Sequence, residues 1–266
     1  MDGKIFDAEK ISEHIYKISE LGLVNCFLVV GNERAMLIDC GDGVSYIKEE
    51  VKKLTSLPSF LAATHAHADH IGGAREWGKV YLHFKDVPIA AYATSFSQRK
   101  RFLEKNNALE AYKNAGGKLP FYRPYLTLKP FGDRKVFDLG GVKVEAINTP
   151  GHTLGSCIFK VHEDKIILAG DNFIPMLFLH YPYAASLSRW VKVCEALFEE
   201  AKDCLIYGGH GKNAINKDGL LWQYETAKNI IARTKENDSY FKRKIITVRN
   251  EEHRHLLLKY RTDKVL

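Results

Sequence analysis

Apolar residues recur along this chain in short runs, and the runs divide it into strand-like and helix-like stretches. Residues 23–30 (LVNCFLVV) and 35–39 (AMLID) are apolar and separated by Gly31-Asn32-Glu33-Arg34. Such a pair predicts a β-hairpin. Residues 43–55 place apolar positions at helical spacing and stop before Pro58. A short strand is expected at 59–63, a helix opening at Ile71-Gly72-Gly73-Ala74-Arg75, and a strand at 80–83. Residues 96–114 have helical composition, closed by Gly116-Gly117-Lys118-Leu119-Pro120.

Strand signals return after 130. KVFDL and VKVEAI flank Gly140-Gly141, a hairpin signature, and CIFKV and KIILAG flank His162-Glu163-Asp164 in the same way. Residues 186–201 read as an amphipathic helix, 204–209 as a strand, 217–235 as a last helix, and the tail from 244 as strands. Two blocks of strands with helices between them predict an α/β (α+β) protein with sheets face to face and helices outside. A plain α/β layer fold fits the same pattern. No repeat or linker interrupts the chain, so one domain over 1–266 is expected. The polar, aromatic-rich stretch at about 86–130 reads as a lid inserted over a site, or as a surface helix pair without a role.

Composition narrows the class. Hydrophobic residues make up 45% and charged residues 27%, which excludes a disordered or fibrous chain. The formal charge of +7 fits an anionic substrate as well as a plain solvated surface. Cys26, Cys40, Cys157, Cys194 and Cys204 form no CxxC pair and sit mostly in apolar runs, as buried thiols of a reducing compartment do. The N-terminus carries charges where a signal peptide has an apolar core, and no run approaches the ~20 residues that span a bilayer. A soluble cytoplasmic protein is the expectation.

The densest chemistry lies in Thr64-His65-Ala66-His67-Ala68-Asp69-His70. Along a strand, His65 and His67 point to one side, and the following turn can swing Asp69 and His70 beside them. Imidazole suits zinc and related metals, and a carboxylate adds a harder ligand. Three more segments follow: Thr149-Pro150-Gly151-His152-Thr153, Leu168-Ala169-Gly170-Asp171-Asn172 and Gly208-Gly209-His210-Gly211. Each places a histidine or aspartate where an apolar strand gives way to flexible backbone, a usual location for functional side chains. Taken singly, each is equally well plain turn chemistry.

Together these segments resemble the motif series of the metallo-β-lactamase-fold superfamily, in order and rough spacing from about Asp39 to His210. The resemblance implies a four-layer αββα sandwich. It also implies one metal held by His65, His67 and His152, a second held by Asp69, His70 and His210, and Asp171 bridging both. Asp39 resembles that family's early aspartate, a support for the site loops. The implied cofactors are two divalent metal ions; the ligands suit zinc, and iron or manganese can enter such a site. Two metals about 3.5–4 Å apart can share one hydroxide that attacks an electrophilic carbonyl or phosphorus. Asp69 is the candidate catalytic residue, orienting that nucleophile or receiving its proton.

Aspartate at 171, where the commonest zinc β-lactamases carry cysteine, argues against antibiotic hydrolysis. Histidine at 67, where the di-iron flavoprotein relatives carry glutamate, argues against a di-iron reductase. The ligand set resembles that of hydroxyacylglutathione hydrolases, lactone hydrolases and phosphodiesterases, and TPGHTLGS is most similar to the thioester-hydrolase group. The leading expectation is hydrolysis of a small thioester, lactone or ester. Phosphodiester hydrolysis and iron-dependent oxidation on the same fold are the alternatives, and a non-catalytic metal protein fits least. No aromatic–basic nucleic-acid module is visible, which argues against a nucleic-acid partner. Tyr181 and Tyr183 either overhang the site or pack. Arg99, Lys100 and Arg101 either meet an anionic substrate or form a solvated charge run. His14, His83, His162, His253 and His255 show no partner pattern and stay outside the site.

Overall fold

The computed structural model describes residues 4–117, 120, 125–236 and 244–266. Seven strands form the first sheet in sequence order: β1 (Phe6–Lys10), β2 (Ile15–Glu20), β3 (Val24–Val30), β4 (Ala35–Ile38), β5 (Ser59–Ala62), β6 (Lys79–His83) and β7 (Thr127–Phe131). β1 to β4 pair antiparallel through short turns; β4 to β7 pair parallel and therefore need crossovers. The crossovers are helical: α1 (Ile47–Leu54), then α2 (Ala68–Ile71) and α3 (Ala74–Trp77), then α4 (Val87–Ala93), α5 (Phe96–Lys105) and α6 (Leu109–Asn114).

A second sheet is built from β8 (Arg134–Asp138), β9 (Lys143–Asn148), β10 (Cys157–Val161) and β11 (Ile166–Leu168), with β13 (Leu205–Tyr207) parallel to β11 at its edge. Three further strands, β12 (Met176–Leu179), β14 (Ile245–Arg249) and β15 (Leu257–Arg261), form a small third sheet. α7 (Leu187–Glu200) and α8 (Lys217–Glu236) complete the chain.

Three apolar layers hold these elements together. Phe27, Val29, Met36 and Ile38 of the first sheet meet Phe137, Val144, Phe159 and Leu168 of the second. Leu37, Leu61, Val80 and Leu82 face Ile47, Val51 and Ala90 of the first set of helices. Ile158, Ile167 and Ile206 face Trp190, Cys194 and Leu197 of α7. This is the αββα sandwich expected from the sequence, with all five cysteines buried and free.

The hairpin at 23–39, the strand pairs around Gly140-Gly141 and His162-Glu163-Asp164, and the C-terminal strands form as expected. β1, β2, β7, β12 and α4 were not foreseen. β1 exposes four of its five residues, so it carries no alternating signal. β7 contains Pro130, which is tolerated because β7 lies at the sheet edge. The single helix expected over 96–114 is two: Asn107 adopts φ 51°, a left-handed conformation that an α-helix cannot pass through. The turn expected at 116–120 lies partly outside the described residues.

β4, β5, β9, β11 and β13 all direct their C-terminal ends to one rim of the sandwich. Cys157 N–H donates to the Thr64 carbonyl (2.8 Å) and Asn25 N–H to the Gly209 carbonyl (2.7 Å), so the two sheets are fastened together there.

Candidate metal centre

β5 runs out through Ala63 and Thr64 into the histidine-rich segment, and α2 begins directly after His67. Asp39, fully buried at the end of β4, organises this exit. Its carboxylate accepts from Thr64 N–H (2.7 Å), the Thr64 hydroxyl (2.7 Å) and His70 Nδ1–H (2.8 Å). Because the Thr64 hydroxyl donates to Asp39, it can only accept from His65 Nδ1–H (3.1 Å). His65 Nε2 is therefore a bare lone pair. His152 Nδ1–H donates to the Phe178 carbonyl (2.7 Å), which leaves its Nε2 bare as well.

Both lone pairs aim at the same atom. His67 Nδ1 lies 3.0 Å from His65 Nε2 and 2.8 Å from His152 Nε2. One proton on His67 Nδ1 can serve only one of the two; a cation serves all three. His67 Nε2 lies 3.0 Å from the Tyr183 hydroxyl, which can accept its proton when Nδ1 is deprotonated.

Asp69, His70, Asp171 and His210 form a second group whose ligand atoms lie within 4.8 Å of one another. His70 Nδ1–H is committed to Asp39, and His210 Nδ1–H to the Leu23 carbonyl (2.6 Å), so both Nε2 atoms face inward. His210 Nε2 lies 3.2 Å from Asp171 Oδ2 and 3.4 Å from Asp69 Oδ2. His70 Nε2 lies 3.2 Å from Asp171 Oδ1, yet both buried atoms lack a hydrogen-bond partner. Asp171 Oδ2 is also 3.6 Å from His152 Nε2, so this one carboxylate touches both groups.

The electrostatics differ between the groups. Burial pushes His65, His67 and His152 down, His67 to about 3, so all three are neutral near pH 7. Burial acts the same way on His70 and His210 but is outweighed by the carboxylates around them. Asp171, Asp39 and Asp69 hold His70 well up, and Asp171 and Asp69 raise His210 to about 10. Burial would raise Asp69 and Asp171, but His70 and His210 hold both below the usual carboxylate range.

Other residues lock the loops. Asp86, buried, accepts from Ala66 N–H (2.9 Å), the Thr153 hydroxyl (2.8 Å) and Gly155 N–H (2.9 Å), tying the His65 and His152 segments together. Asn172 accepts from His152 N–H (2.8 Å) and donates to the Thr149 carbonyl (2.7 Å). At Gly209 a Cβ would come within 2.6 Å of both Asp171 Oδ1 and His70 Cε1, so a side chain there would intrude on the second group. Gly209→Ala is expected to lower metal content while leaving the fold intact, read by metal analysis beside circular dichroism.

The structure thus brings all seven expected residues to one rim. His67, Asp69, His152, Asp171 and His210 form the floor of a cleft of about 820 Å³ that Tyr181 and Tyr183 overhang, with His65 and His70 buried beneath it. The two tyrosine rings stack on each other at 5.7 Å. The basic run divides. Arg99 is buried and donates to the Gly43 carbonyl (3.0 Å), so it anchors α5 rather than meeting a substrate. Lys100 is exposed beside Glu104 (3.8 Å), and Arg101 faces the cleft. His255, left aside by the sequence pattern, stands at the cleft wall. Asp86 gave no signal in the sequence, because its partners lie 20 to 69 residues away.

The family model of the metallo-beta-lactamase superfamily matches residues 20–210, and the chain belongs to that superfamily. It is 25% identical over 191 residues to acyl-coenzyme A thioesterase MBLAC2 of Bos taurus, covering 66% of this chain and 67% of that protein. An uncharacterized protein of Aquifex aeolicus is 28% identical over 211 residues, covering 74% and 89%. Among solved structures, a metallo-beta-lactamase from Pontibacter korlensis superposes with a TM-score of 0.55 at 18% identity, covering 78% of this chain and 92% of that one. The sec-alkylsulfatase Pisa1 from Pseudomonas sp. gives 0.60 at 15% identity, covering 86% and 42%. At these identities the superpositions speak for the fold alone. Among the described residues no helix is long and apolar enough to cross a membrane.

Proposed function

We propose that this chain is a hydrolase of carbonyl substrates, thioesters first among them, working with two divalent metal ions of which zinc suits the ligands best. The observation that carries this reading is Asp171, whose carboxylate reaches both ligand groups at the floor of an apolar cleft. His65, His67 and His152 would hold one ion; Asp69, His70 and His210 the other; Asp171 would bridge them. The donor set fits: the first group offers three neutral imidazoles, and the second offers carboxylates kept ionised beside two imidazoles whose Nε2 protons a metal would displace. When bound, the ions supply Lewis acidity and lower the pKa of water to about 7.

The chain's own residues then do the rest. Asp69, one-fifth exposed at the cleft floor, orients the attacking water and accepts its proton. The water oxygen bonds to the acyl carbon, the carbon–sulfur bond breaks, and Asp69 passes the proton it took from the water to the leaving sulfur, so a carboxylic acid and a free thiol are released. Pro88, Ile89, Phe102, Ile174 and Phe178 line the walls with apolar surface suited to an acyl group. The name carried by the MBLAC2 relative points the same way. Five free, buried thiols fit a reducing compartment such as the cytoplasm.

The test compares initial rates of the zinc-loaded protein on an acyl thioester and an activated phosphodiester, each with and without a chelator. Chelator-sensitive preference for the thioester is expected; preference for the phosphodiester overturns the reading.

The two groups should also load differently. At pH 7 His70 and His210 are protonated in the metal-free protein, and a metal must displace those protons. Filling the second group should release about two protons per ion, and filling the first almost none. Affinity of the second group should therefore climb as pH rises from 7 toward 10, while that of the first stays level. Calorimetry in buffers of different ionisation enthalpy reads the proton count directly; equal release from both groups would contradict the assignment.

Tyr183→Phe removes the acceptor for His67 Nε2–H. A loss of about 10-fold in affinity at the first group is expected, the scale of other lost outer contacts to metal ligands. Competition against a chromophoric chelator measures it.

A further inference from the structure

We infer that Arg101 and Lys105 form an anion subsite that grips the charged leaving group of the substrate, opposite walls that take its apolar acyl chain. The inference rests on the thioesterase reading above. Its basis is the helical phase of α5. Arg99 and Leu103 face inward, with Arg99 tied to the Gly43 carbonyl, and the following helix α6 is pinned by the Tyr112 hydroxyl donating to the Val44 carbonyl (2.8 Å). That anchorage turns Gln98, Arg101, Phe102 and Lys105 toward the cleft, at the i, i+3, i+4 and i+7 positions of one helix face.

Arg101 and Lys105 are exposed, and neither has an ion-pair or hydrogen-bond partner among the described residues. Lys100, one step around the helix, has Glu104 instead. Among the described residues the only carboxylates lining the cleft are Asp69 and Asp171, both beside histidines on its floor. Among the described residues these two cations therefore stand on the cleft wall without a neutralising partner, while Ile89, Phe102, Ile174 and Phe178 offer apolar surface in the same cleft. The matching ligand is amphipathic: an aliphatic or aryl acyl group joined to a thiol that carries phosphates or carboxylates. Guanidinium and ammonium groups hold either anion.

The experiment uses the full-length zinc-loaded protein and the double variant Arg101→Glu/Lys105→Glu, whose exposed positions leave the core untouched. One acyl group is presented as three thioesters: of coenzyme A, of glutathione and of neutral N-acetylcysteamine. The variant is expected to raise KM at least about 10-fold for an anionic thioester while changing the neutral one less than about 2-fold, as loss of charge complementarity does. Whichever anionic thioester responds more identifies phosphate or carboxylate as the ligand. Binding of coenzyme A and of glutathione themselves, followed by calorimetry, should weaken by a similar factor. Equal effects on all three thioesters, or unchanged binding of both free thiols, would overturn the subsite. If no thioester is turned over, the hydrolase reading fails, and the binding measurement alone still decides the subsite.

Discussion

Asp171→Asn is expected to reduce thioester hydrolysis by about 10³-fold, equivalent to about 4 kcal/mol of transition-state stabilisation. The cause is geometric. One carboxylate oxygen of Asp171 lies 3.2 Å from His70 Nε2; the other lies 3.2 Å from His210 Nε2 and 3.6 Å from His152 Nε2. Asparagine keeps one acceptor and turns two N–H groups toward the second position, where a cation would sit. It also removes the negative charge that raises His70 and His210, so these rings lose their proton at lower pH. Metal analysis should show fewer than two ions bound, alongside the lost rate. A variant that retains two ions and near wild-type turnover would show that Asp171 bridges nothing.

The second large effect concerns stability rather than rate. Asp39→Ala is expected to destabilise the metal-free protein by about 3–5 kcal/mol, the usual cost of removing one partner from a buried charged pair. Three buried donors lose their acceptor at once: Thr64 N–H, the Thr64 hydroxyl and His70 Nδ1–H. The backbone adds to the cost, since Asp39 adopts φ 61°, where alanine is disfavoured. Asp39→Asn separates the contributions. Asparagine tolerates the left-handed conformation and can still accept from Thr64 N–H, but it meets the other two donors with its own N–H groups. Urea unfolding of both variants measures the difference. A loss below about 1 kcal/mol for the alanine variant would mean that the site loops hold without Asp39.

The sequence made the candidate ligands legible, because seven histidines and aspartates follow apolar strands with glycine or threonine beside them, and the fold gathers them into two groups that could hold a metal. What positions those ligands was not legible. Asp86 sits in His83-Phe84-Lys85-Asp86-Val87, a stretch with nothing to mark it, and only the fold brings it to Ala66, Thr153 and Gly155. The run Arg99-Lys100-Arg101 shows the same limit. Three adjacent cations look alike in a sequence, yet α5 buries one, pairs one with Glu104 and presents one to the cleft. Helical phase relative to the core decides this, and phase is set by Leu103 and by α6, not by the charges. The unforeseen strands fail for another reason. β1 leaves four of its residues in solvent, so its backbone pairing with β2 has no counterpart in hydropathy.

Each ligand group draws on both sheets. His65 and His67 follow β5 and meet His152 after β9; Asp69 and His70 meet Asp171 after β11 and His210 after β13. An ion held by either group is therefore a staple between two halves of the chain far apart in sequence. During synthesis neither half can finish a site, and the last ligand emerges only after residue 210. Loading must wait until both sheets have docked, so metal uptake in a refolding experiment should follow tertiary assembly and serve as a clock for it.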